Sequence, residues 1–437
     1  LEQLGNLYLD LSYQNLHLHV MYNNRKKHVP TGLYGGRFND DRTFFQDING
    51  FAELKYSLNL SKKASLDFRL FTDFYQFKGR YMYYADENWI TGPPYESEFN
   101  EVRNRSHGGE LLYSLKLSKK HMTIIGAEYK KYARIYFRYY SENDPLSHLD
   151  EFYDMDPEEY IWSVYATHSY RPVSKLIIEA GLHYNHYHSI GGHSSFRSSI
   201  SYRMFNKLWI KLLYGEALRA PNTWELRGGF FLRGNPDLKP EVVKTLELIF
   251  DASISQTLNW KTSIFRYDLK DNIRTTADYF DNIEGITGTG FESYIRYLKQ
   301  SGFHAYASIS FSDVKKKSDS SRIPFSARWL GKAGLTLPLF MTPLKLGIEF
   351  QWVGPRLFGD PAIGELTSHF ITNLTLSSIQ FSPQLELSLT VRNLFNSSHQ
   401  HPSFISDLAS WNMNSIYKIY DIPAEGRSIM LKTRLNL

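Results

Sequence analysis

The chain has 437 residues, of which 16% are aromatic and 22% are charged, and it contains no cysteine. Its 50 Lys and Arg residues against 45 Asp and Glu residues leave a net charge of +5, which gives little reason to expect a nucleic-acid partner. The lack of cysteine excludes a disulfide scaffold, a thiol enzyme and a cysteine-based zinc site. No run of about 20 apolar residues is present, so the sequence predicts no membrane-spanning helix.

Apolar and polar residues alternate along most of the chain, which is the period of a β-strand with one apolar and one polar face. The alternation is clearest at 246–252, 385–391 and 431–437. Helical spacing is nowhere sustained for more than a turn or two. The sequence therefore predicts an all-β protein.

The connections between the predicted strands alternate in length. Short turns are predicted at 14–15, 61–64, 118–121, 172–175, 206–207, 256–257, 301–302, 341–343 and 382–383. Longer connections are predicted at 26–44, 85–105, 141–157, 189–193, 221–240, 276–289, 315–325, 358–367 and 397–425. Tight turns on one rim and long loops on the other are typical of an outer-membrane barrel, with periplasmic turns and extracellular loops.

These observations predict a transmembrane antiparallel β-barrel. The nine short turns give nine hairpins, or 18 strands, and the terminal strand makes about 19. The many aromatic residues then have a place in belts at the two membrane interfaces, and we expect tyrosines such as Tyr81, Tyr136, Tyr139 and Tyr184 to face outward there. A propeller is disfavoured because its strands are short and repeat with a motif in each blade.

Two segments resemble paired motifs of the TonB-dependent receptor family. They are Tyr214–Pro221, which is similar to the strand end of the family, and Gly234–Glu241, which is similar to its Asn-Pro-(Asn/Asp)-Leu-Lys-Pro-Glu strand start. Leu218 stands where the family usually has an aromatic residue. The motif positions are Arg219, Ala220, Pro221, Asn235, Pro236, Leu238, Pro240 and Glu241. Because proline cannot donate to a strand ladder, these positions also have a purely architectural interpretation, in which they shape a loop and contact no ligand.

The resemblance implies a 22-stranded barrel with a plug domain and a segment that engages the TonB–ExbB–ExbD complex. Neither the plug nor that segment is visible, and three strands are missing from the count. We therefore interpret residues 1–437 as an N-terminally truncated barrel domain. The resemblance further implies a monomeric, multi-pass protein of the outer membrane of a Gram-negative bacterium, in contact with lipid and lipopolysaccharide.

Candidate ligand-binding residues flank the motif loop and a neighbouring strand. Arg219, Arg227, Arg233 and Trp224 would suit an anionic metal chelate, through charge-assisted hydrogen bonds and stacking. His193 is a further candidate because the family includes haem receptors. His28, His369, His399 and His401 could also serve from other loops, and the alternative for all of these histidines is an ordinary polar role at the interface.

An acidic loop offers possible calcium ligands. Asp150, Asp154 and Asp156 are spaced as carboxylates that could gather Ca²⁺, and cobalamin receptors of the family use calcium in such loops. The alternative is a loop that only bridges divalent ions to lipopolysaccharide or repels anions. The sequence gives no reason to assign a cofactor.

The leading functional hypothesis is an outer-membrane receptor for the TonB-energised uptake of a scarce chelate of the ferric siderophore, haem or cobalamin type. The alternative is a passive pore or an adhesin barrel without a plug. The sequence lacks the G-x-S-x-G, Walker A and H-E-x-x-H motifs, and we expect no enzymatic activity.

Overall fold

A computed structural model of the chain describes residues 2–29, 36, 37, 39–84, 95–141, 151–155, 159–229, 232–276, 278–339, 342, 344–358, 364–378, 384–402 and 421–435. Among these residues, no helix is long or apolar enough to cross a bilayer. The described residues contain one short helix, α1 (Thr223–Arg227).

The principal strands span most of the described chain. They are β1 (Glu2–Tyr13), β2 (Leu16–His28), β3 (Phe44–Ser61), β4 (Ala64–Tyr84), β5 (Tyr95–Lys116), β6 (His121–Ser141), β7 (Glu151–Met155), β8 (Tyr160–Val173), β9 (Leu176–Tyr187), β10 (Gly191–Phe205), β11 (Leu208–Arg219), β14 (Glu241–Ser253), β15 (Leu258–Lys270), β18 (Ile286–Leu298), β19 (His304–Lys316), β20 (Trp329–Pro338), β21 (Leu344–Val353), β24 (His369–Ser378), β25 (Leu385–Arg392) and β28 (Ser428–Leu435).

Four of the long connections each contain a small hairpin. They pair β12 (Gly228–Gly229) with β13 (Leu232–Arg233), β16 (Asn272–Thr275) with β17 (Phe280–Ile283), β22 (Arg356–Leu357) with β23 (Glu365–Leu366), and β26 (Gln400–Pro402) with β27 (Asp421–Pro423). The sequence did not predict these hairpins, because strands of two to four residues are too short to show an alternating pattern.

Nineteen of the principal strands, all except β7, form one antiparallel sheet in which each strand pairs with its neighbours along the chain. The five residues of β7 also join this sheet, beside β6 and in line with β8. The predicted all-β fold and the predicted strand number are thus confirmed. At the two edges, β1 pairs with β2 and β28 pairs with β25, and no pairing joins β1 to β28 within the described residues.

The two faces of the sheet differ in polarity. On β14, for example, Leu246 is exposed on the outer face, whereas Glu247 lies on the inner face and accepts a hydrogen bond from Ser263 of β15. The same division holds on β5, where Leu111 is exposed outward and Glu110 contacts Arg69 inside. An apolar outer face and a polar lumen are what a membrane-spanning barrel requires.

Two predicted loops differ from the observed connections. Residues 95–105 belong to β5, which runs for 22 residues, so the second half of the loop predicted at 85–105 is strand. The loop predicted at 189–193 is a tight turn, because β9 ends at Tyr187 and β10 begins at Gly191. Polar side chains made both strand ends look like loop, although a strand that extends beyond the bilayer can carry polar residues on both faces.

The prediction of outward-facing tyrosines is wrong for Tyr81 and Tyr139, which stand opposite Glu98 and Asn100 on the inner face. Tyr136 stands opposite Arg103 on the outer face but is only 8% exposed. These tyrosines lie on the long outer parts of β4 and β6, and Met82 of β4 and Phe99 of the neighbouring β5 are also buried. Period-2 alternation shows which residues share a face but does not show that a neighbouring strand or loop covers that face.

Candidate functional site

The two family-like motifs bracket one outer connection, residues 220–240, which we call the box loop. Its ends are held together at the sheet, because Arg219 closes β11 directly opposite Glu241, the first residue of β14. The Arg219 Nε donates a hydrogen bond of 2.5 Å to the Glu241 carboxylate. The start and the end of the loop are therefore fixed by a strand pair and an ion pair.

A capping box organises the first part of the box loop. The Asn222 side chain accepts a hydrogen bond from the Glu225 amide at 2.9 Å, and the Glu225 carboxylate accepts one from the Asn222 amide at 2.8 Å. The same buried carboxylate accepts two hydrogen bonds from Arg219, at 2.9 and 3.1 Å. Arg219 is thus shared between two carboxylates, one at each end of the loop. Reciprocal capping of this kind satisfies two of the backbone amides at the start of α1.

The second motif attaches the box loop to the neighbouring connection. Asn235 receives the hydrogen bond of the Asp237 amide and donates from its side chain to the Phe280 carbonyl at 3.1 Å. The Lys239 amide donates to the Asn282 side chain at 2.7 Å. The Asn-Pro-Asp-Leu-Lys-Pro-Glu segment therefore docks on the hairpin formed by β16 and β17.

A small hydrophobic core lies beneath this contact. Leu238, Ile273 and Phe280 are buried together, and Trp224, Leu226 and Leu232 pack against them. Trp224 also lies next to Phe137 of β6, with ring centroids 5.0 Å apart. The polar clamp that Arg219 forms with Glu225 and Glu241, together with this apolar packing, holds the described parts of the box loop in place.

A sequence model of the TonB dependent receptor-like β-barrel matches residues 3–394, which is most of the chain. The chain belongs to the TonB-dependent receptor family. Members of this family are transporters and not enzymes, and the barrels of the homologues lie in the outer membrane.

Solved receptor structures share the fold at low sequence identity. The ferric-catecholate import receptor Fiu of E. coli K12 matches at 13% identity and a TM-score of 0.69, over 96% of this chain and 72% of Fiu. FpvA of P. aeruginosa, solved with a ferric pyoverdine, matches at 12% identity and a TM-score of 0.70, over 99% of this chain and 64% of FpvA. PiuA, a siderophore receptor of Acinetobacter baumannii, matches at 13% identity and a TM-score of 0.70, over all of this chain and 74% of PiuA. The present chain thus spans about two thirds to three quarters of these receptors.

The candidate ligand-binding residues of this receptor barrel differ in how firmly they are held. Arg219 and Trp224 belong to the clamp and the core of the box loop. Arg233 is 75% exposed and forms an ion pair with Asp278, which is 55% exposed. Arg227 is exposed at the end of α1. Arg227 and Arg233 are therefore the two exposed arginines within the box loop itself.

His193 lies on β10, outside the box loop. It stands opposite Asn185 of β9, and its Nε2 lies 3.2 Å from the Ile190 carbonyl. His193 and the box-loop arginines are therefore on separate connections of the outer rim.

The three histidines on and just after β9 do not converge on one point. His183 lies near Tyr165, His186 stacks on Trp162 with centroids 5.3 Å apart, and His188 lies 5.1 Å from Tyr160. Three of the candidate histidines lie closer together, although the sequence did not predict this because His369 is 30 residues from His399. His369 stacks on His399 at 4.4 Å, and His401 lies 5.7 Å from His399.

No group of three His, Asp or Glu residues in the described ranges is arranged to hold a metal ion. Of the calcium candidates, Asp154 lies in the short strand β7, opposite Tyr136 of β6. Asp150 and Asp156 lie outside the described residues.

The lumen wall carries a charged network that the sequence analysis did not identify. Arg69 of β4 forms ion pairs with Glu53 of β3, Glu110 of β5 and Glu128 of β6. The Tyr165 hydroxyl on β8 donates to the same Glu110. These side chains come from five strands, so it is the register between the strands that brings them together. This network is polar and contains three carboxylates for one arginine, so the negative charge of Glu53, Glu110 and Glu128 exceeds the positive charge of Arg69.

A second outer connection is held by the Asn393–Asn396 segment. Asn393 is only 4% exposed and has a φ of 48°, and its side chain both donates to and accepts from the backbone of Ser397. Asn396 accepts a hydrogen bond from the Arg427 amide at 2.9 Å. Asparagine suits such positions because it tolerates a positive φ and bonds locally to the backbone.

Proposed function

We propose that this chain is the barrel of an outer-membrane receptor that takes up a scarce metal chelate with energy delivered by TonB. The match of the family model to residues 3–394 carries this proposal. Receptors for ferric catecholates and ferric pyoverdine are among the proteins of the same fold, although identities of 12–13% leave the ligand of this chain open. A ferric siderophore, haem and cobalamin are the three ligand classes that we propose to test.

The proposed route begins at the outer loops and passes through the polar lumen. Arg227 and Arg233 would contact an anionic chelate, with His193 and Trp224 as further contact residues and Arg219 as the residue that holds the loop in place. Charge-assisted hydrogen bonds from arginine are short and directional, and they suit the oxygen atoms of such a chelate. The residues of the lumen wall, such as Arg69 and Glu110, would line the passage.

Energy coupling requires parts of the protein other than the barrel. We propose that a plug domain and a TonB-binding segment belong to the whole protein, and that the TonB–ExbB–ExbD complex relays the proton-motive force to the plug. The function of this chain is then binding and gated passage, without the breaking of a covalent bond.

The decisive experiment measures binding and uptake in parallel. Purified full-length protein is titrated with a panel of ferric siderophores, with haem and with cobalamin, and cells are assayed for uptake with and without TonB. We expect one class to bind tightly and its uptake to require TonB. Uptake that does not depend on TonB would instead support a passive pore, and binding to none of the classes would contradict the proposal.

The role of the box-loop arginines is tested separately. Arg227→Gln together with Arg233→Gln should weaken binding of an anionic chelate at least tenfold, since each lost charged hydrogen bond is worth about 1.5 to 3 kcal/mol. Arg266→Gln is a matched control because Arg266 is 65% exposed and lies opposite Leu246 on the outer face. Unchanged affinity in the double variant would show that these arginines do not bind the ligand.

A further inference from the structure

Four short turns share a three-residue pattern that the proposed transport function does not use. The pattern is an apolar residue, then Ser or Asn, then Lys, and it occurs as Leu60-Ser61-Lys62, Leu117-Ser118-Lys119, Val173-Ser174-Lys175 and Phe205-Asn206-Lys207. These turns join β3 to β4, β5 to β6, β8 to β9 and β10 to β11. They are consecutive along the short-turn rim.

The first residue of each pattern faces away from the lumen. Leu60, Leu117, Val173 and Phe205 are 54%, 55%, 58% and 62% exposed. Leu117 continues the alternate positions of the outward row that includes Leu111 on β5. Val173 stands opposite Leu176, and Phe205 opposite Leu208. The apolar residue of each turn is thus placed where lipid covers a membrane barrel.

The middle residue is explained by the turn itself. The Ser61 hydroxyl accepts hydrogen bonds from the amides of Lys63 and Ala64, both at 3.1 Å, and the Ser118 hydroxyl accepts one from Lys120 at 3.1 Å. Serine is common in turns because its hydroxyl bonds to nearby backbone amides. This local role accounts for the second position of the pattern.

Turn geometry does not account for the lysines. The next turn of the rim reads Ile254-Ser255-Gln256, and there the Ser255 hydroxyl makes the same kind of bonds, to the amides of Thr257 and Leu258. A glutamine therefore serves the turn as well as a lysine does. In the described part of the chain, no ion pair involves Lys62, Lys119 or Lys175, and Lys207 donates to the Ile254 carbonyl. No Asp or Glu lies at 60–63, 117–120, 173–175 or 205–207.

We propose that these four lysines bind the phosphate groups of anionic phospholipids, in the leaflet that surrounds the short-turn rim. Each lysine is two residues from a lipid-facing apolar side chain, so its stem can lie along the acyl region while its ammonium group reaches the headgroups. Adjacent hairpins are about 10 Å apart around the barrel, since neighbouring strands are about 4.8 Å apart. The rim thus presents a row of cations to a surface of phosphates, and lysine near an anionic membrane surface is stabilised electrostatically.

This inference rests on one part of the proposed function, namely that the barrel lies in a membrane. It requires neither a particular chelate nor TonB. Short turns lie on the periplasmic side of an outer-membrane barrel, so we place this rim in the periplasmic leaflet. Phosphatidylglycerol is an anionic phospholipid and is therefore the lipid chosen for the test.

The test compares lipid selectivity in bilayers of phosphatidylcholine. Full-length protein is reconstituted with trace spin-labelled phosphatidylglycerol or phosphatidylcholine, and the fraction of each label held at the protein surface is measured. The test variant replaces Lys62, Lys119, Lys175 and Lys207 with Gln, as at Gln256. The control variant replaces four exposed lysines near the long-loop end, Lys27, Lys239, Lys270 and Lys316, with Gln.

We expect wild type to prefer phosphatidylglycerol by about fivefold, the factor that one lysine near an anionic surface contributes. The rim variant should lose most of this preference, the control variant should keep it, and added salt should reduce it. The proposal is overturned if wild type shows no preference, or if the rim variant keeps it while its circular dichroism remains that of a folded barrel. A protein that fails to enter bilayers contradicts both this proposal and the proposed function. A protein with the lipid preference but without a bound chelate contradicts only the transport proposal.

Discussion

Trp224 of the box loop lies against Phe137 of β6, with ring centroids 5.0 Å apart and the ring planes at 57°. Three strands, β8, β9 and β10, separate β6 from β11 in the sheet. Phe137 lies on the part of β6 that extends past its pairing with β8 and pairs instead with Tyr153 of β7. The box loop is held from two sides, by its own clamp and by a distant strand.

Removing the indole of Trp224 should loosen the box loop without unfolding the barrel. Trp224→Ala deletes packing against the cluster of Leu238, Ile273 and Phe280 and against Phe137, and we expect a local loss of about 2 kcal/mol. Hydrogen exchange at 222–240 should accelerate by more than tenfold. Trp162→Ala, which removes a tryptophan of the barrel wall, is the control and should leave exchange in the box loop unchanged. Equal exchange in the Trp224 variant and wild type would refute this role.

Breaking the clamp from its buried side should cost more than breaking an exposed ion pair. Glu225→Gln removes the charge that accepts hydrogen bonds from Arg219, and we expect the loop to lose about 1 to 2 kcal/mol of local stability. Arg219→Lys should have a similar effect because lysine cannot donate to both carboxylates in the same fork geometry. The double variant should cost less than the sum of the two.

The exposed pair of Arg233 and Asp278 provides the comparison for the clamp. Asp278→Asn should change hydrogen exchange in the box loop by less than about 0.5 kcal/mol, as surface ion pairs usually do. Additive effects of Glu225→Gln and Arg219→Lys in a double-mutant cycle would mean that the two residues do not act as one clamp.

The charged network in the lumen should stabilise the sheet through Arg69. Arg69→Met leaves the carboxylates of Glu53, Glu110 and Glu128 facing one another, so we expect a loss of about 2 kcal/mol in the free energy of unfolding. Thermal unfolding in detergent measures this. Adding Glu110→Gln to Arg69→Met should restore part of the loss, whereas a further loss in that double variant would contradict the explanation.

The described part of the loop between β2 and β3 should remain ordered in mild acid. Asp40 accepts hydrogen bonds from the side chain and the amide of Arg42, at 2.7 to 3.0 Å, which together with the nearby Arg37 lower its pKa to about 2. A carboxyl whose pKa is lowered on folding contributes stability above its unfolded pKa, and loses that contribution as the pH falls through the folded value. We expect the difference in stability between wild type and Asp40→Asn, about 1 kcal/mol, to persist at pH 5 and to vanish near pH 2.

Hydrogen exchange of residues 39–43 at several pH values, corrected for the intrinsic rates, checks this prediction. A difference between wild type and Asp40→Asn that disappears already between pH 5 and pH 4 would show that the Asp40 pKa is not lowered.

The sequence was sufficient to predict the architecture because each barrel strand has one apolar face and one polar face, which gives an alternating sequence. Alternation at 246–252 predicted a strand with an outward Leu246 and an inward Glu247, and the structure has both. The motif segments likewise located the box loop between Arg219 and Glu241. Each of these features depends on residues that are close in sequence, so the chain itself carries the information.

The tertiary structure alone decided which side chains meet. The ion pairs of Arg69 join side chains on four strands, and the contact of Trp224 with Phe137 crosses three strands of the sheet. Tyr136 is buried although its register places it on the outer face. Such contacts depend on strand register, on strand length beyond the bilayer and on the folding of loops over the rim. Periodicity along one strand determines the face of a residue, but it holds no information about what covers that face.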